Sequence, residues 1–281
     1  MSAESQFPPA LITLLQQAIG AMGAYQEYAV LVGGLAPFVY QHHASFDRAM
    51  PLPPLGTKDA DMAVPLPLPV IAGTTLHRRL VNGGLVADVG RGTDGEDSIT
   101  RFFLPGERPR DAPYLEFLVR DPGRRGELEG RPQADLLAHT GDYQELLLDP
   151  TPIWAVPTPE IGIIRVPHPV GYIAQKTRMY DKVGARWAKD QGDVLLVIWA
   201  FRNIWPEMAQ VWQDLQRRSP QGAWLDRVVK IWTRLYARPD SEGAMGVADI
   251  YRQRARVAVP PAAIHQVMQD FLAVITTRSN H

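Results

Sequence analysis

Cysteine is absent from the chain of 281 residues, which excludes disulfide bonds and thiol catalysis. A large net charge is missing as well, because 29 basic side chains nearly balance 30 acidic ones. Long apolar runs are also absent: the longest, Val194 to Phe201, is far shorter than the roughly 18 residues of a membrane span. The first residues lack a basic region followed by an apolar core, so we expect a cytoplasmic protein without a signal peptide or membrane contact.

The charges that are present are distributed unevenly along the chain. Residues 1–165 carry 13 basic and 20 acidic side chains, whereas residues 166–281 carry 16 and 10. Such an asymmetry favours a polyanionic ligand. The pattern of apolar residues changes near the same point, from short strand-like runs to helical spacing from His168 onward. The sequence therefore predicts an α+β protein with an α/β domain in residues 1–166 and a helical domain in residues 167–281.

Local patterns predict the elements of the first domain. Apolar residues at helical spacing predict an opening helix in the run ALITLLQQAIGAM. Tyr28 to Val32 is expected to be a short strand that ends in Gly33-Gly34, and helical spacing resumes from Leu35 to His42. A proline-rich connection in residues 45–56 is expected to be a loop. The run from Leu146 to Pro167 is expected to form short strands interrupted by prolines.

Asp59 and Asp61 lie on the next predicted strand, in the run GTKDADMAV. Because side chains alternate across a strand, residues two apart share a face, and both carboxylates point the same way. Two like charges so placed need a cation. The obvious one is a hard divalent ion such as Mg²⁺, which carboxylate oxygens bind and which in turn holds substrate phosphates. The alternative is a polar loop after Gly56 in which the two carboxylates only cap turns.

Gly33 and Gly34 stand at the predicted turn from strand to helix. Because they have no side chains, their backbone N–H groups can approach a phosphate at a helix N-terminus, where the helix dipole favours anions. The alternative is a simple tight turn, since two adjacent glycines alone are weak evidence of a binding site.

The order of strand, Gly-Gly, helix and then Asp-x-Asp on the following strand resembles the nucleotidyltransferase superfamily that includes DNA polymerase beta. Within it, the chain looks most like the AbiEii/AbiGii toxin branch, because Thr57 precedes Asp59-x-Asp61 and a block of Lys and Asp follows farther along. The resemblance implies the nucleotidyltransferase fold, a mixed sheet flanked by helices, followed by a C-terminal helical domain. It also implies transfer of a nucleoside monophosphate from an NTP to an acceptor, with two Mg²⁺ ions bound.

The resemblance further implies roles for single residues. Asp59 and Asp61 are joined as catalytic metal ligands by a third acid on a later strand, for which Glu116 is the candidate and Asp88 the alternative. The implied nucleotide-binding residues are Gly33, Gly34, Thr57, Lys58, Lys176 and Asp193.

The block from Tyr172 to Trp199 resembles the family motif in which a Lys on one helix is followed, after an Arg, by Lys-Asp-x-x-Asp on the next helix. The matching residues are Lys176, Arg186, Lys189, Asp190 and Asp193. Lys176 is then expected to neutralise the β- and γ-phosphates. Asp190 and Asp193 lie three residues apart on one helical face and are expected to pair with Arg186 or Lys176.

By the same resemblance, the acceptor is a tRNA end or a protein hydroxyl, and the chain is the toxin of a toxin-antitoxin or phage-defence system, with an antitoxin as partner. Similarity to antibiotic nucleotidyltransferases keeps a small-molecule acceptor open. Leu55 stands where the toxin branch has Arg, which favours an alternative: a catalytically inactive module that binds a nucleotide, RNA or a protein. A third alternative is nuclease or phosphatase activity at the same carboxylates.

Overall fold

The computed structural model describes residues 9–91, 98–107, 112–120, 131–141, 144–148, 152–178, 185–218 and 220–277. These residues divide into two compact units. The first unit lies within Gln6–Val39 and Gly56–Pro167, and the second lies within Tyr40–Leu55 and His168–His281. All described strands belong to the first unit, and the second is helical, so the chain belongs to the α+β class.

The described residues contain the following regular elements. The strands are β1 (Val30–Leu31), β2 (Asp59–Ala63), β3 (Val86–Arg91), β4 (Ser98–Phe103), β5 (Tyr114–Arg120), β6 (His139–Gly141), β7 (Ile153–Thr158) and β8 (Gly162–Pro167). The α-helices are α1 (Pro9–Met22), α2 (Ala36–Tyr40), α3 (Leu76–Asn82), α4 (Glu145–Leu148), α5 (Pro169–Arg178), α6 (Ala185–Ala200), α7 (Trp205–Gln216), α8 (Gln221–Leu235), α9 (Glu242–Arg254) and α10 (Pro261–Thr276). Short 3-10 helices cover Gly23–Glu27, Gly33–Leu35 and Arg202–Ile204.

The first unit is built on a mixed sheet. Its strand order is β1-β2-β5-β4-β3, and β6 also pairs with β5. The β2–β5 and β5–β6 pairs are parallel, whereas β1–β2, β3–β4 and β4–β5 are antiparallel. After β2, the chain forms the antiparallel pair β3–β4, and the next strand, β5, then pairs directly with β2. This pairing positions the candidate site.

Helix α1 confirms the predicted opening helix. Its buried residues are Leu11, Leu14, Leu15, Ala18 and Met22, which follow the helical spacing of the sequence. The helix packs against β2, β5 and α3. The strands β7 and β8 form a separate antiparallel ribbon, and β8 lies beside β1.

The segment Tyr40–Leu55 packs within the helical unit. The rings of Phe46 and Phe201 lie 5.8 Å apart, and the backbone N–H of Asp47 donates to the carbonyl of Ala200 at 2.8 Å. Arg202 also forms an ion pair with Asp47 at 2.7 Å. Although this segment precedes the candidate Asp-x-Asp strand in the chain, its contacts place it with the helices of the second unit.

Local predictions for the first unit need correction, and one strand was not predicted. The residues Leu146–Leu148 form part of helix α4 rather than a strand, because three apolar residues in a row fit either element and Leu147 packs against Val30 and Ala63. The strand β6 was not expected, since it is made by pairing with β5 rather than by an alternating pattern. Helix α2 is shorter than the predicted Leu35 to His42. The sequence also predicts a polar hairpin-like loop over residues 90–97, but Gly90 and Arg91 belong to β3, and residues 92–97 lie outside the described residues. Of the polar connection predicted over residues 121–131, residues 121–130 lie outside the described residues too.

Candidate metal centre

Three carboxylates converge on two neighbouring parallel strands of the first unit. In the β2–β5 register, Asp59 is opposite Tyr114 and Asp61 is opposite Glu116, so these side chains share one face of the sheet. Asp59, Asp61 and Glu116 each offer one oxygen, and these oxygens all lie within 4.8 Å of one another. No other group of three His, Asp or Glu side chains meets this condition in the described part of the chain. The three residues could therefore hold a metal ion.

The donor set suits a hard divalent cation. All three donors are carboxylate oxygens, the ligands that Mg²⁺ and Ca²⁺ prefer, and no softer ligand accompanies them. Asp59 and Asp61 are half-buried, and Glu116 is 6% exposed. Grouping carboxylates in a partly desolvated place is costly, because each raises the free energy of ionising the others. A bound cation removes that cost.

Thr57 and Arg101 both donate hydrogen bonds to this group of carboxylates. The hydroxyl of Thr57 donates to Asp59, and the guanidinium of Arg101, on β4, donates to Glu116 with 3.2 Å between Nε and Oε2. The Arg101 guanidinium also lies 4.6 Å from the centre of the Tyr114 ring. Thr57 was singled out from the sequence, whereas Arg101 was missed. The signal that could have found it is a lone arginine within the otherwise uncharged strand SITRFF.

The titration of Tyr114 reflects the charge gathered on this face of the sheet. Burial raises the pKa of its hydroxyl to about 12; the three carboxylates add to the rise and the Arg101 guanidinium opposes it. Negative charge therefore exceeds positive charge around this phenol, which is a setting that attracts cations.

Gly33 lies against one of the carboxylates. Its φ is +63°, and a Cβ at this position would overlap the Asp61 carboxylate. The antiparallel β1–β2 pair sets this approach, and the N–H of Val32 donates to the carbonyl of Asp61 at 2.9 Å. Only glycine accommodates both the left-handed backbone and the close contact. Gly34 is buried in the same 3-10 turn. The following helix α2 has only five residues, so the dipole of this helix contributes little to anion binding at the two glycines.

Asp88, the alternative third acid, lies elsewhere on the sheet. It is on the edge strand β3, opposite Arg101 on β4, and its side chain is exposed. Both β4 and β5 separate β3 from β2. The structure thus brings Glu116, rather than Asp88, to the two aspartates. Lys58 is exposed next to Asp59 in the chain.

The second predicted block forms a buried ionic cluster within the helical unit. Lys176, on α5, contacts Asp190, on α6, with 2.8 Å between Nζ and Oδ1. Lys189 contacts Asp193 at 3.3 Å, and the Asp193 side chain is 1% exposed. Burial raises the pKa of the Asp193 carboxyl, and the two lysines oppose that rise. The expected pairing of Lys176 with Asp190 is present, while the side chain of Arg186 lies outside the described residues.

Comparisons of the chain with protein-family models, curated proteins and solved structures found no match. None of the described helices combines the length and apolar character that crossing a bilayer requires. The functional assignment therefore rests on the carboxylate geometry and the sequence motifs, and membership of the nucleotidyltransferase superfamily stays a prediction.

Proposed function

We propose that this chain is a divalent-metal-dependent nucleotidyltransferase. The observation that carries the proposal is the convergence of Asp59, Asp61 and Glu116, whose oxygens lie within 4.8 Å of one another on adjacent strands. Bound Mg²⁺ ions, of which we expect two, would activate an acceptor oxygen and stabilise charge on the transferring phosphoryl group. The close approach of Gly33 to Asp61 supports the same proposal, because the absence of a side chain lets the Asp61 carboxylate keep its place beside the other two acids.

Other residues are proposed to hold the triphosphate of an NTP. Lys58 is exposed and directly precedes Asp59, so its ammonium can offset phosphate charge near the carboxylates. Thr57 orients Asp59 by its hydrogen bond. The roles of Gly34, Lys176 and Asp193 as nucleotide-binding residues rest on the sequence resemblance alone.

The proposed reaction moves a nucleoside monophosphate. The acceptor oxygen bonds to the α-phosphorus of the NTP, the bond from that phosphorus to the bridging oxygen breaks, and pyrophosphate leaves. Glu116 is the proposed acceptor of the hydroxyl proton, a role drawn from the resemblance. A tRNA end, a protein hydroxyl or a small molecule is the proposed acceptor, and a bacterial toxin paired with an antitoxin, acting in the cytoplasm where NTPs and Mg²⁺ are present, is the proposed setting.

The test is transfer of label from α-³²P NTPs. The purified chain is incubated with Mg²⁺ and each NTP, together with bulk tRNA, a protein lysate or small hydroxylated acceptors, and pyrophosphate release is followed in parallel. Glu116→Gln should lower the rate by at least about 100-fold, since it removes a proposed metal ligand. Asp88→Asn is the matched control, because it neutralises an exposed acid elsewhere on the same sheet and should leave the rate within about twofold of wild type.

Each result separates the proposal from its rivals. Labelled acceptor with released pyrophosphate supports transfer. Hydrolysis of nucleic acid or phosphate esters without labelling of any acceptor would assign the carboxylates to a nuclease or phosphatase. Nucleotide binding without turnover would favour the inactive binding module. Equal loss of activity in Glu116→Gln and Asp88→Asn would argue against the proposed metal ligands.

A further inference from the structure

A cleft of about 560 Å³ lies within the first unit, where the end of helix α1 meets strands β1 and β2 and the ribbon β7–β8. Six of its lining residues have large apolar side chains: Ile19, Met22, Leu31, Met62, Ile163 and Ile164. Pockets that bind organic ligands typically measure about 300–1,000 Å³ and have a mainly apolar lining with a few polar groups. The size and lining of this cleft therefore suit an organic molecule rather than a single ion.

The cleft lies on the face of the sheet opposite to the three carboxylates. Met62 directly follows Asp61 on β2, so their side chains point to opposite faces. Leu31 is opposite Met62 in the β1–β2 register, and these two side chains share the face that lines the cleft. A ligand in the cleft would therefore occupy a site separate from the candidate metal centre.

The polar groups of the cleft lie next to one another. Arg165, on β8, donates through Nη1 to the backbone carbonyls of Gln26 and Glu27. These two residues end the 3-10 helix Gly23–Glu27, so the hydrogen bonds fix the guanidinium beside the end of that helix. The side-chain amide of Gln26 donates in turn to the carbonyl of Ile19 at 2.7 Å. The cleft thus combines an apolar lining with one localised polar region.

The charge of Arg165 is only partly compensated. Its hydrogen-bond acceptors in the described part of the chain are carbonyls, which carry no full negative charge. Burial lowers the pKa of this guanidinium, and the carboxylate of Glu27 opposes that effect. Glu27 is exposed, so water screens its charge more strongly than that of the half-buried arginine. A guanidinium has five N–H donors, and those on Nε and Nη2 can bind a carboxylate through two parallel hydrogen bonds.

We propose that this cleft binds an amphiphilic monoanion, whose carboxylate pairs with Arg165 and whose apolar body lies along Met62 and Ile163. The head group carries a single charge, because one guanidinium receives it and the nearby Glu27 disfavours a second negative charge. Ile163 is 64% exposed, and such a ligand would remove part of this apolar surface from water. Binding is measured without metal or nucleotide, so the inference stands whether or not the chain transfers nucleotides.

The experiment is isothermal titration calorimetry of the full chain with octanoate and with 1-octanol, which has the same chain length but no charge. Wild type should bind octanoate at one site, about tenfold more tightly than 1-octanol, because only octanoate pairs with the guanidinium. Arg165→Gln should weaken octanoate binding about tenfold and leave 1-octanol affinity within about twofold of wild type. Glu27→Gln removes the acid near the head group and should strengthen octanoate binding about twofold to threefold.

A third variant tests the apolar part of the cleft. Ile163→Ala should weaken the binding of octanoate and 1-octanol alike, each about threefold, because both ligands lose the same apolar contact. Val89→Ala is its matched control, since Val89 is 57% exposed on β3 and does not line the cleft. Arg78→Gln is the control for Arg165→Gln, because Arg78 is 71% exposed and also lies outside the cleft. Both controls should leave the two affinities unchanged.

Several results would overturn the inference. Wild type that does not bind octanoate, or that binds octanoate and 1-octanol equally well, would exclude an anion site at Arg165. Equal weakening of octanoate binding in Arg165→Gln and Arg78→Gln would show an effect of overall charge instead of a contact. If Arg165→Gln fails to fold, the two variants of exposed side chains decide, since unchanged octanoate affinity in either Glu27→Gln or Ile163→Ala would contradict the proposed placement of the ligand.

Discussion

Replacing Gly33 by alanine should disturb the candidate metal centre through a single added carbon. The backbone of Gly33 has φ +63°, and an L-residue in this left-handed region costs about 1–2 kcal/mol. The new Cβ would also overlap the Asp61 carboxylate, and displacing a packed side chain costs about 1–3 kcal/mol more. We therefore expect Gly33→Ala to lower the free energy of unfolding by about 2–5 kcal/mol and to move Asp61 away from Asp59 and Glu116.

Gly23 provides a control that separates backbone strain from overlap. Its φ is +54°, close to that of Gly33, but an added Cβ would meet nothing within 4 Å. Gly23→Ala should therefore cost only the strain, about 1–2 kcal/mol. It should leave Mn²⁺ affinity unchanged, whereas Gly33→Ala should weaken that affinity at least about tenfold through the displaced ligand.

Urea unfolding followed by circular dichroism measures the two costs, and a double-mutant cycle with Asp61→Ala isolates the overlap. When the Asp61 carboxylate is absent, the cost of Gly33→Ala should fall to that of Gly23→Ala, which corresponds to a coupling energy of about 1–3 kcal/mol. Equal costs for Gly33→Ala and Gly23→Ala, or wild-type Mn²⁺ affinity in Gly33→Ala, would refute the reasoning that Gly33 is required by its contact with Asp61.

Three further predictions concern parts of the fold outside the carboxylates. Burial lowers the pKa of the His168 imidazole to about 4, whereas the same group in the unfolded chain titrates near 6.5. As the pH falls below about 6.5, the unfolded chain therefore binds a proton at His168 more readily than the folded chain does. The free energy of unfolding should drop by up to about 3 kcal/mol by pH 4. Urea unfolding of His168→Asn, which keeps a side-chain acceptor at the start of α5, should lack this part of the drop. Thr75→Ala removes the hydroxyl that caps α3 and should cost about 1 kcal/mol in thermal unfolding, whereas Thr13→Ala, on an exposed helix face, should cost less than about 0.5 kcal/mol. A Cβ on Gly192 would come within 2.5 Å of the Leu55 side chain, so Gly192→Ala should cost about 1–3 kcal/mol and less in a Leu55→Ala background; equal costs in both backgrounds would contradict this packing.

Features that depend on local spacing could be predicted from the sequence. The alternation of strand residues places Asp59 and Asp61 on one face, and the helical spacing of the first residues predicts α1. The helices of the second unit also follow from their apolar periodicity, and the mixed α+β class follows from the change of pattern along the chain. In each case, the residues that decide the structure lie within a few positions of one another.

Features that depend on pairing between distant segments could not be predicted in the same way. The family resemblance implies Glu116 as the third acid. Neither the composition nor the spacing of residues predicts that β5 lies beside β2 with Asp61 opposite Glu116. The contact of Arg101 with Glu116 depends on a second pairing, between β4 and β5. The packing of residues 40–55 with the helical unit depends on contacts such as that of Phe46 with Phe201, more than 100 residues apart in the sequence. Such contacts are set by tertiary packing, which single-residue propensities do not encode.

The pairing of β2 argues against the simpler interpretation that its two aspartates cap turns in a polar loop. Asp59 and Asp61 both belong to a strand that pairs with β5 along its length, and their side chains meet a third carboxylate from that strand. The hydroxyl of Thr57 contacts Asp59, and the guanidinium of Arg101 brings one positive charge to Glu116. If the three acids had only a structural role, replacing any one of them with its amide would remove repulsion and stabilise the fold. Three carboxylates on one face of the sheet, with glycine rather than a side chain beside them, could instead hold a metal ion, which is the role that the proposed function assigns to them.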